Sequence, residues 1–337
     1  MSEKLEELNK RIAILSQQGR FKEVEPLLQR TSRLARREYG ENHPAYATIL
    51  NDLGGLYRTT GEYSKSESCF LEALEIFGNT IGKDHSGYAT CVNNLAGLYR
   101  LAGNYVKAEQ LFFEAWDIYA RTVGEEHFLY ASNLNNLSLL YLDMGNYDKA
   151  EQLQDEALEI VRRTDGENAS SYAISLSNLS AVCMAKGNLA KAESLVQQAL
   201  EIFSKTVGTD DSHYVSALNS LAGVYYTKGD YEQAEQLYVQ TLNILDKIWG
   251  KEHPTYASGL GSLGLLYETM ANYDKAEQCY LQSLDIRRRI LGQEHPSYVE
   301  NLNSLVLLYG KVGDHAKAEQ FRTQVQGNSP MSKVRGQ

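Results

Sequence analysis

Apolar residues recur at helical spacing in two successive stripes, with a short polar turn between them. In residues 88–124 the first stripe is Val92, Leu95, Ala96 and Tyr99, and the second is Ala108, Leu111, Phe112 and Ala115. Both follow the i, i+3, i+4, i+7 spacing of one helix face. Gly103 and Asn104, which separate the stripes, are typical of a turn. The pattern therefore predicts a helix, a turn and a second helix.

This helix-turn-helix unit repeats every 42 residues along the chain. Tyrosine recurs at 46, 88, 130, 172, 214, 256 and 298, and glycine at 40, 82, 124, 166, 208, 250 and 292. A second glycine column, which contains Gly103, is interrupted by Ala271. We expect a different turn geometry at Ala271, because glycine adopts left-handed backbone at the least cost. The period predicts eight repeats, near 4–45, 46–87, 88–129, 130–171, 172–213, 214–255, 256–297 and 298–326.

The repeat explains how so long a chain can fold around one continuous core. A single unit cannot bury both apolar stripes by itself, so neighbouring units must stack. Small alanines at 108, 150, 192, 234, 276 and 318 stand where helices must approach closely. We therefore predict one all-α solenoid of sixteen helices over residues 1–327, followed by a flexible tail at 328–337.

The charge and hydropathy of the chain exclude several classes of binding partner. The formal net charge of −10 argues against nucleic acid and anionic lipid, because both attract basic surfaces. No apolar run reaches the roughly 18 residues that a transmembrane helix needs. The four cysteines include no CxxC pair and are not spaced like a disulfide framework. We expect a cytoplasmic location, with no nucleic-acid partner and no membrane partner.

The recurring polar residues have structural interpretations. Histidines at 43, 85, 127, 253 and 295 each stand alone in their repeat, so we interpret them as helix caps rather than metal ligands. Glutamates recur every 42 residues from Glu25 to Glu319 and are interpreted as favouring the start of each second helix. Tyr141 and its equivalents, with Cys183 in the same column, are interpreted as core. No nucleotide-binding, zinc-protease or hydrolase motif occurs, and we expect no enzyme activity, no metal and no cofactor.

Three motifs carry a resemblance to a known family. They are Leu95-Ala96-x-x-Tyr99, Gly145-Asn146-Tyr147-Asp148-Lys149-Ala150-Glu151 and Gly250-Lys251-Glu252-His253-Pro254. The first two resemble the tetratricopeptide signature. The third contains a long loop that is similar to the loop of kinesin light chain repeats. The resemblance implies a right-handed α-solenoid that binds other proteins.

The resemblance also implies a binding surface. In this family the first helix of each pair lines a concave groove that holds extended peptides. Carried over position by position, the groove residues are Asn51, Arg58, Asn93, Asn94, Arg100, Asn135, Asn136, Asn178, Asn219, Tyr226 and Asn303. The implied function is a protein-interaction scaffold or adaptor with a protein or peptide partner. Arg58 and Arg100 favour an acidic partner, with ordinary solvated charges as the alternative. We expect a monomer, with weak dimerisation as the alternative.

The asparagine columns have two interpretations. Asparagine inside a helix costs about 0.6 kcal/mol relative to alanine, so some interaction must compensate. The amides either bond the backbone of a bound peptide or link neighbouring repeats to one another. The function also has an alternative, a ligand-sensing regulatory subunit that controls a partner enzyme or a transcription factor.

Overall fold

The computed structural model describes residues 3–328, which form sixteen α-helices and no strand. The helices are α1 (Glu3–Gln17), α2 (Phe21–Tyr39), α3 (Pro44–Thr59), α4 (Tyr63–Thr80), α5 (Ser86–Leu101), α6 (Tyr105–Thr122), α7 (Phe128–Asp143), α8 (Tyr147–Thr164), α9 (Ser170–Ala185), α10 (Leu189–Thr206), α11 (Ser212–Lys228), α12 (Tyr231–Trp249), α13 (Pro254–Thr269), α14 (Tyr273–Ile290), α15 (Pro296–Val312) and α16 (His315–Asn328). The predicted all-α fold of repeated helix pairs is thus confirmed. The predicted tail lies outside the described residues except for Asn328, which ends α16.

The helices group into two compact units. Unit 1 contains the described residues up to Ile14 together with Glu23–Ser220. Unit 2 contains Leu15–Lys22 and the described residues from Leu221 onward. In unit 1, α3, α5, α7 and α9 each pack on the even-numbered helix that follows, and in unit 2 α13 and α15 do the same.

A left-handed residue ends each first helix and turns the chain into the second. At Gly103 φ is 76°, and its N–H donates to the Arg100 carbonyl at 3.0 Å, while the Asn104 N–H donates to the Tyr99 carbonyl at 2.8 Å. These two bonds form a Schellman motif and satisfy carbonyls that the helix end leaves free. The Asn104 side chain then accepts the Lys107 N–H at 3.3 Å and caps the next helix.

The turn at Ala271 contradicts our expectation of a different geometry. Ala271 has a φ of 57°, and its N–H donates to the Glu268 carbonyl at 3.1 Å. The Asn272 N–H donates to the Tyr267 carbonyl at 2.8 Å, as in the glycine turns. Packing and capping on both sides therefore hold an alanine in a conformation that its Cβ disfavours.

We predict that Ala271→Gly raises the free energy of unfolding by about 1 kcal/mol, because it removes the left-handed strain of a residue with a Cβ. Chemical denaturation monitored by circular dichroism measures the change. Gly103→Ala is the matched control and should lower the stability by a similar amount. A destabilised Ala271→Gly protein would show that the turn carries no such strain.

The core lies between the two helix layers and between successive repeats. Ala108 and Ala115 have no exposed surface, and Phe112 on the same helix is 1% exposed. Ala96 on α5, which lies in the same buried cluster as Ala108 and Phe112, also has no exposed surface. The alanines equivalent to Ala108 are equally buried, at 0% for 150, 192, 234 and 276 and 4% for 318. Small residues in this column let helices approach closely while large ones fill the space beside them.

The recurring glutamates have a role that differs from our interpretation. Glu109 lies beyond the first turn of α6, so it cannot cap that helix. Its carboxylate instead accepts a hydrogen bond from the hydroxyl of Tyr141, which belongs to the next repeat. The same bond joins Tyr57 to Glu25, Tyr99 to Glu67, Tyr267 to Glu235 and Tyr309 to Glu277. In these five places a tyrosine thus links a repeat to the one before it within the same unit.

One repeat makes this link without a tyrosine. Cys183 stands in the tyrosine column and its sulfur lies 3.9 Å from the Glu151 carboxylate. Glu151 is held instead by Lys186 and Lys191, at 2.5 and 2.7 Å. These lysines keep the pKa of Glu151 below its ordinary value, mainly through their hydrogen bonds to it.

We predict that Tyr141→Phe lowers the free energy of unfolding by about 1–3 kcal/mol, because the half-buried Glu109 carboxylate loses a donor. Thermal and chemical denaturation measure the loss. Tyr147→Phe is the control, since the Tyr147 side chain is 39% exposed and its hydroxyl makes no hydrogen bond with a described residue. Equal effects of the two substitutions would mean that the bond to Glu109 contributes nothing to stability.

Candidate binding surface

The first helices of unit 1 contact one another in sequence, α3 with α5, α5 with α7 and α7 with α9. A residue on one helix meets the residue 43 positions later on the next. Thus the Asn94 amide donates to Asn51 Oδ1 at 3.0 Å, and the Asn136 amide donates to Asn93 Oδ1 at 3.1 Å. We call these two pairs the amide ladder. Each of the four residues remains half-buried, so the ladder lies at the surface.

A fifth asparagine, Asn133, donates a hydrogen bond to the ladder from the protein interior. The sequence analysis did not identify it. Asn133 has no exposed surface. Its amide nitrogen lies 3.0 Å from Asn93 Oδ1 and 3.2 Å from the Phe112 carbonyl, and it donates to both. The column of Asn133 is variable in the sequence, because it holds Ile49 and Cys91 but also Ser175 and a second asparagine, Asn301. Asn301 is buried too, and its amide donates to the Tyr280 carbonyl at 3.2 Å, so an amide at this position indicates a specific polar contact.

These bonds determine which end of the Asn93 amide faces outward. Its oxygen accepts from both Asn133 and Asn136. Its nitrogen donates to no described residue. Asn93 therefore presents N–H donors at the surface, and a group that binds there must supply an acceptor.

The remaining predicted residues do not extend the ladder. Asn135 Oδ1 and Asn219 Oδ1 are buried and accept no bond from a described residue. Asn178 stands where a partner for Asn135 would be, but its side chain makes no hydrogen bond with a described residue. In unit 2 the Tyr226 hydroxyl lies 3.0 Å from the Thr269 hydroxyl, and Asn303 is exposed. The structure thus brings together only part of the predicted set.

Arg58 lies beside the ladder in a space that a glycine provides. Its Nη1 donates to the Asn94 carbonyl at 3.2 Å. A Cβ at Gly97 would approach that nitrogen to 2.8 Å, so a larger residue there would displace the guanidinium. Burial lowers the pKa of Arg58, and the nearby charge of Arg100 lowers it further. Arg58 contacts no carboxylate among the described residues.

Arg100, which was predicted to act like Arg58, is instead neutralised within the chain. Its Nη1 lies 2.6 Å from the Asp143 carboxylate, and the two side chains are 21% and 36% exposed. Asp143 thus holds the Arg100 guanidinium with a charge-assisted bond across the α5–α7 contact. On the surface formed by α3, α5 and α7, Arg58 is therefore the cation that still lacks a counter-charge.

The recurring histidines are helix caps, as the sequence indicated. His43, His85, His127, His253 and His295 each accept, through Nδ1, the backbone N–H two residues later. Where proline follows, as at Pro44, Pro254 and Pro296, it occupies the first turn. Among residues 3–328, no three His, Cys, Asp or Glu side chains are grouped so that they could hold a metal ion.

The sequence profile of the tetratricopeptide repeat family matches residues 7–79, 60–121, 88–163, 129–205, 171–247 and 255–325. This chain belongs to the tetratricopeptide repeat family. In fold, its 42-residue units are similar to kinesin-light-chain-like repeats of known structure. No curated protein sequence matches the chain. None of the described helices is both long enough and apolar enough to cross a membrane.

Several solved structures share the fold. BtubC (BKLC) from P. vanneervenii is 24% identical, with a TM-score of 0.53, over 69% of this chain and 92% of that one. The Q17M form of the kinesin-light-chain-like TPR repeats of Podosopora anserina is 23% identical, with a TM-score of 0.51, over 61% and 97%. A Rap protein complexed with competence and sporulation factor is 14% identical, with a TM-score of 0.61, over 97% and 98%. At these identities the likeness concerns the fold alone.

In this tetratricopeptide repeat chain, His253 is more deeply buried than the other four capping histidines. In unit 2, His253 is 7% exposed and stacks on Trp249 with ring centroids 4.3 Å apart. Its Nδ1 accepts the Thr255 N–H at 3.2 Å, and its Nε2 lies 3.3 Å from the Gln17 carbonyl. Both bonds are satisfied by the neutral ring with its proton on Nε2. Burial lowers the pKa of His253, and the Gln17 carbonyl opposes this only in part.

We predict that the His253 contribution to stability is complete above the unfolded pKa of about 6.5 and is lost as the pH falls from there toward the lower folded pKa. The unfolded chain takes up the proton first, so acid favours unfolding, by at most about 1.4 kcal/mol per pH unit. Unfolding free energies between pH 7.5 and 5 for the wild type and His253→Asn measure this, because asparagine caps without titrating. Identical pH dependence of the two proteins would contradict the assignment.

Proposed function

We propose that the surface formed by α3, α5 and α7 binds an extended, acidic segment of a partner protein, so that the chain acts as an interaction scaffold. The observation that carries this proposal is the Arg58 guanidinium, which is half-buried beside the amide ladder and contacts no carboxylate among the described residues. A partly desolvated charge without a counter-charge is unfavourable. A ligand carboxylate at this position would supply the missing partner.

The amide ladder supports the same class of ligand. Because the oxygen of Asn93 is occupied by Asn133 and Asn136, the surface offers N–H donors there. The carbonyl groups of an extended peptide backbone are acceptors and would match them. Arg58 adds further N–H donors beyond the one used by Asn94. Donors of both kinds favour a ligand that supplies backbone carbonyls and carboxylates.

The free energies of the individual contacts indicate which residue contributes most to binding. A neutral hydrogen bond contributes about 0.5–1.5 kcal/mol net, whereas a bond to a charged group contributes about 1.5–3 kcal/mol. A carboxylate on Arg58 would therefore exceed any single amide contact. Arg100 would add less, because Asp143 already neutralises it. Useful affinity then requires several contacts along the segment in addition to Arg58.

We predict that Arg58→Gln weakens the binding of acidic segments by about tenfold or more. The probe is a displayed library of random twelve-residue peptides, selected on the wild-type protein and then measured individually by titration calorimetry. Enrichment in Asp and Glu is expected, together with affinity that falls as salt is added. Asn93→Ala is unsuitable as the test variant, because it also removes two bonds between repeats.

Arg162→Gln is the matched control, since Arg162 lies on α8 and pairs with Glu159 at 2.7 Å. Its binding should equal that of the wild type. The melting temperature of Arg58→Gln should stay close to the wild-type value, which separates binding from folding. Selected peptides that lack acidic residues, or that bind Arg58→Gln as tightly as the wild type, would contradict the proposal.

A further inference from the structure

In unit 2, an arginine occupies a position that the other second helices use for the core. Arg287 on α14 stands in the column of Phe77, Tyr119, Val161, Phe203 and Leu245. Those five side chains are between 1% and 9% exposed. A guanidinium cannot be buried there in the same way, because a charge loses far more hydration free energy than an apolar group.

The Arg287 side chain extends out of the second-helix layer to the first helices α13 and α15. Its Nη1 donates to the Ser297 carbonyl at 2.5 Å. A Cβ at Gly261 on α13 would lie 3.9 Å from its Nη2. Gly261 occupies the column that holds Asn51, Asn93 and Asn135 in unit 1. At this repeat, therefore, the surface amide is absent and a guanidinium reaches the first-helix layer.

The charge of Arg287 is not matched within unit 2. Its one hydrogen bond goes to a neutral carbonyl, and no described carboxylate pairs with it. Burial lowers the pKa of Arg287, and the charge of Glu300 on α15 raises it by a smaller effect. The group nevertheless stays protonated, because guanidinium does not lose its proton in proteins. Four of its five N–H donors have no acceptor in the described residues.

We propose that Arg287 is an anion-binding residue that receives a carboxylate of a partner peptide beside Gly261. A guanidinium that is fixed through one N–H can still offer a fork of parallel donors to a carboxylate. Gly261 leaves space on the α13 side, since it has no side chain. The nearby Glu300 disfavours a dianionic phosphate more than a singly charged carboxylate. The ligand chemistry that fits is therefore an Asp or Glu side chain or a peptide C-terminus.

This site adds an anchoring residue to the peptide binding that we propose for the chain, and it uses none of the residues of α3, α5 or α7. Its failure can therefore be told apart from the failure of that proposal. The variants below lie on α13 and α14 and leave Arg58 and the amide ladder unchanged.

The test follows the side-chain Nε–H signal of Arg287 by NMR in the full chain, assigned by its absence in Arg287→Leu. Sodium acetate, sodium phosphate and sodium chloride are titrated at constant ionic strength. A peptide with one central Glu and its Gln counterpart follow, both blocked at their ends, and then the same Gln peptide with a free C-terminus. We expect a saturable shift with acetate, with the Glu peptide and with the free C-terminus, a weaker one with phosphate and none with chloride.

Three variants separate binding from folding. Arg287→Leu restores the residue type of Leu245 and should melt at or above the wild-type temperature while showing no saturable acetate shift at neighbouring signals. Arg288→Leu removes an exposed arginine that pairs with Asp285 at 2.9 Å, and it should bind acetate like the wild type. Gly261→Leu should fill the space beside Nη2 and weaken acetate binding at least fivefold with Arg287 present.

Three results would overturn the proposal. The first is an Arg287 signal that responds equally to all three salts, because this indicates general screening. The second is tighter binding of phosphate than of acetate, which would assign the site to a different anion. The third is a large drop in the melting temperature of Arg287→Leu, which would make the guanidinium a structural group.

Discussion

Within each unit, a helix pair leaves a face uncovered until the next pair stacks on it, and the rest of the structure depends on that constraint. Ala108 and Phe112 are buried because α5 and α7 approach α6 from two sides. Apolar contact alone does not select one register between surfaces that are apolar throughout. Polar bonds between neighbouring repeats supply it: Tyr141 reaches back 32 residues to Glu109, and Asn136 reaches back 43 residues to Asn93. A shift of one residue would break both kinds of bond.

The tyrosine–glutamate bonds and the amide ladder differ in how many of their donors and acceptors are hydrogen-bonded. The Glu109 carboxylate is held by the Tyr141 hydroxyl, over whose ring Lys149 lies with its Nζ 4.6 Å from the centroid. On the first-helix side the amide ladder uses the oxygen of Asn93 and leaves its nitrogen without an acceptor. Arg58 likewise donates to a single carbonyl. A surface whose donors are incompletely used can bind a ligand without first breaking the contacts that hold the repeats together.

Residues that differ from the usual residue of their column have different structural consequences. At Ala271 the turn keeps the glycine geometry, because the caps on both sides outweigh the cost of one Cβ. At Cys183 the missing hydroxyl is replaced by Lys186 and Lys191, so the link to Glu151 survives with another chemistry. Arg287 alone among these introduces a charge that forms no ion pair with a described carboxylate. For that reason we connect it with a ligand rather than with the fold.

The sequence by itself determined the helix pairs, the family and the histidine caps, because these follow from local periodicity and from residues within one turn of each other. Only the tertiary structure decided the partners of polar groups in different repeats. The carboxylate of Glu109 could have served its own helix, and the contact with Tyr141 depends on how two repeats stack. Arg58 and Arg100 have the same position in successive repeats, yet Asp143 neutralises only Arg100. The sequence places Arg287 in a column that is apolar in the neighbouring repeats, but only the tertiary structure shows its contact with Ser297 and its approach to Gly261.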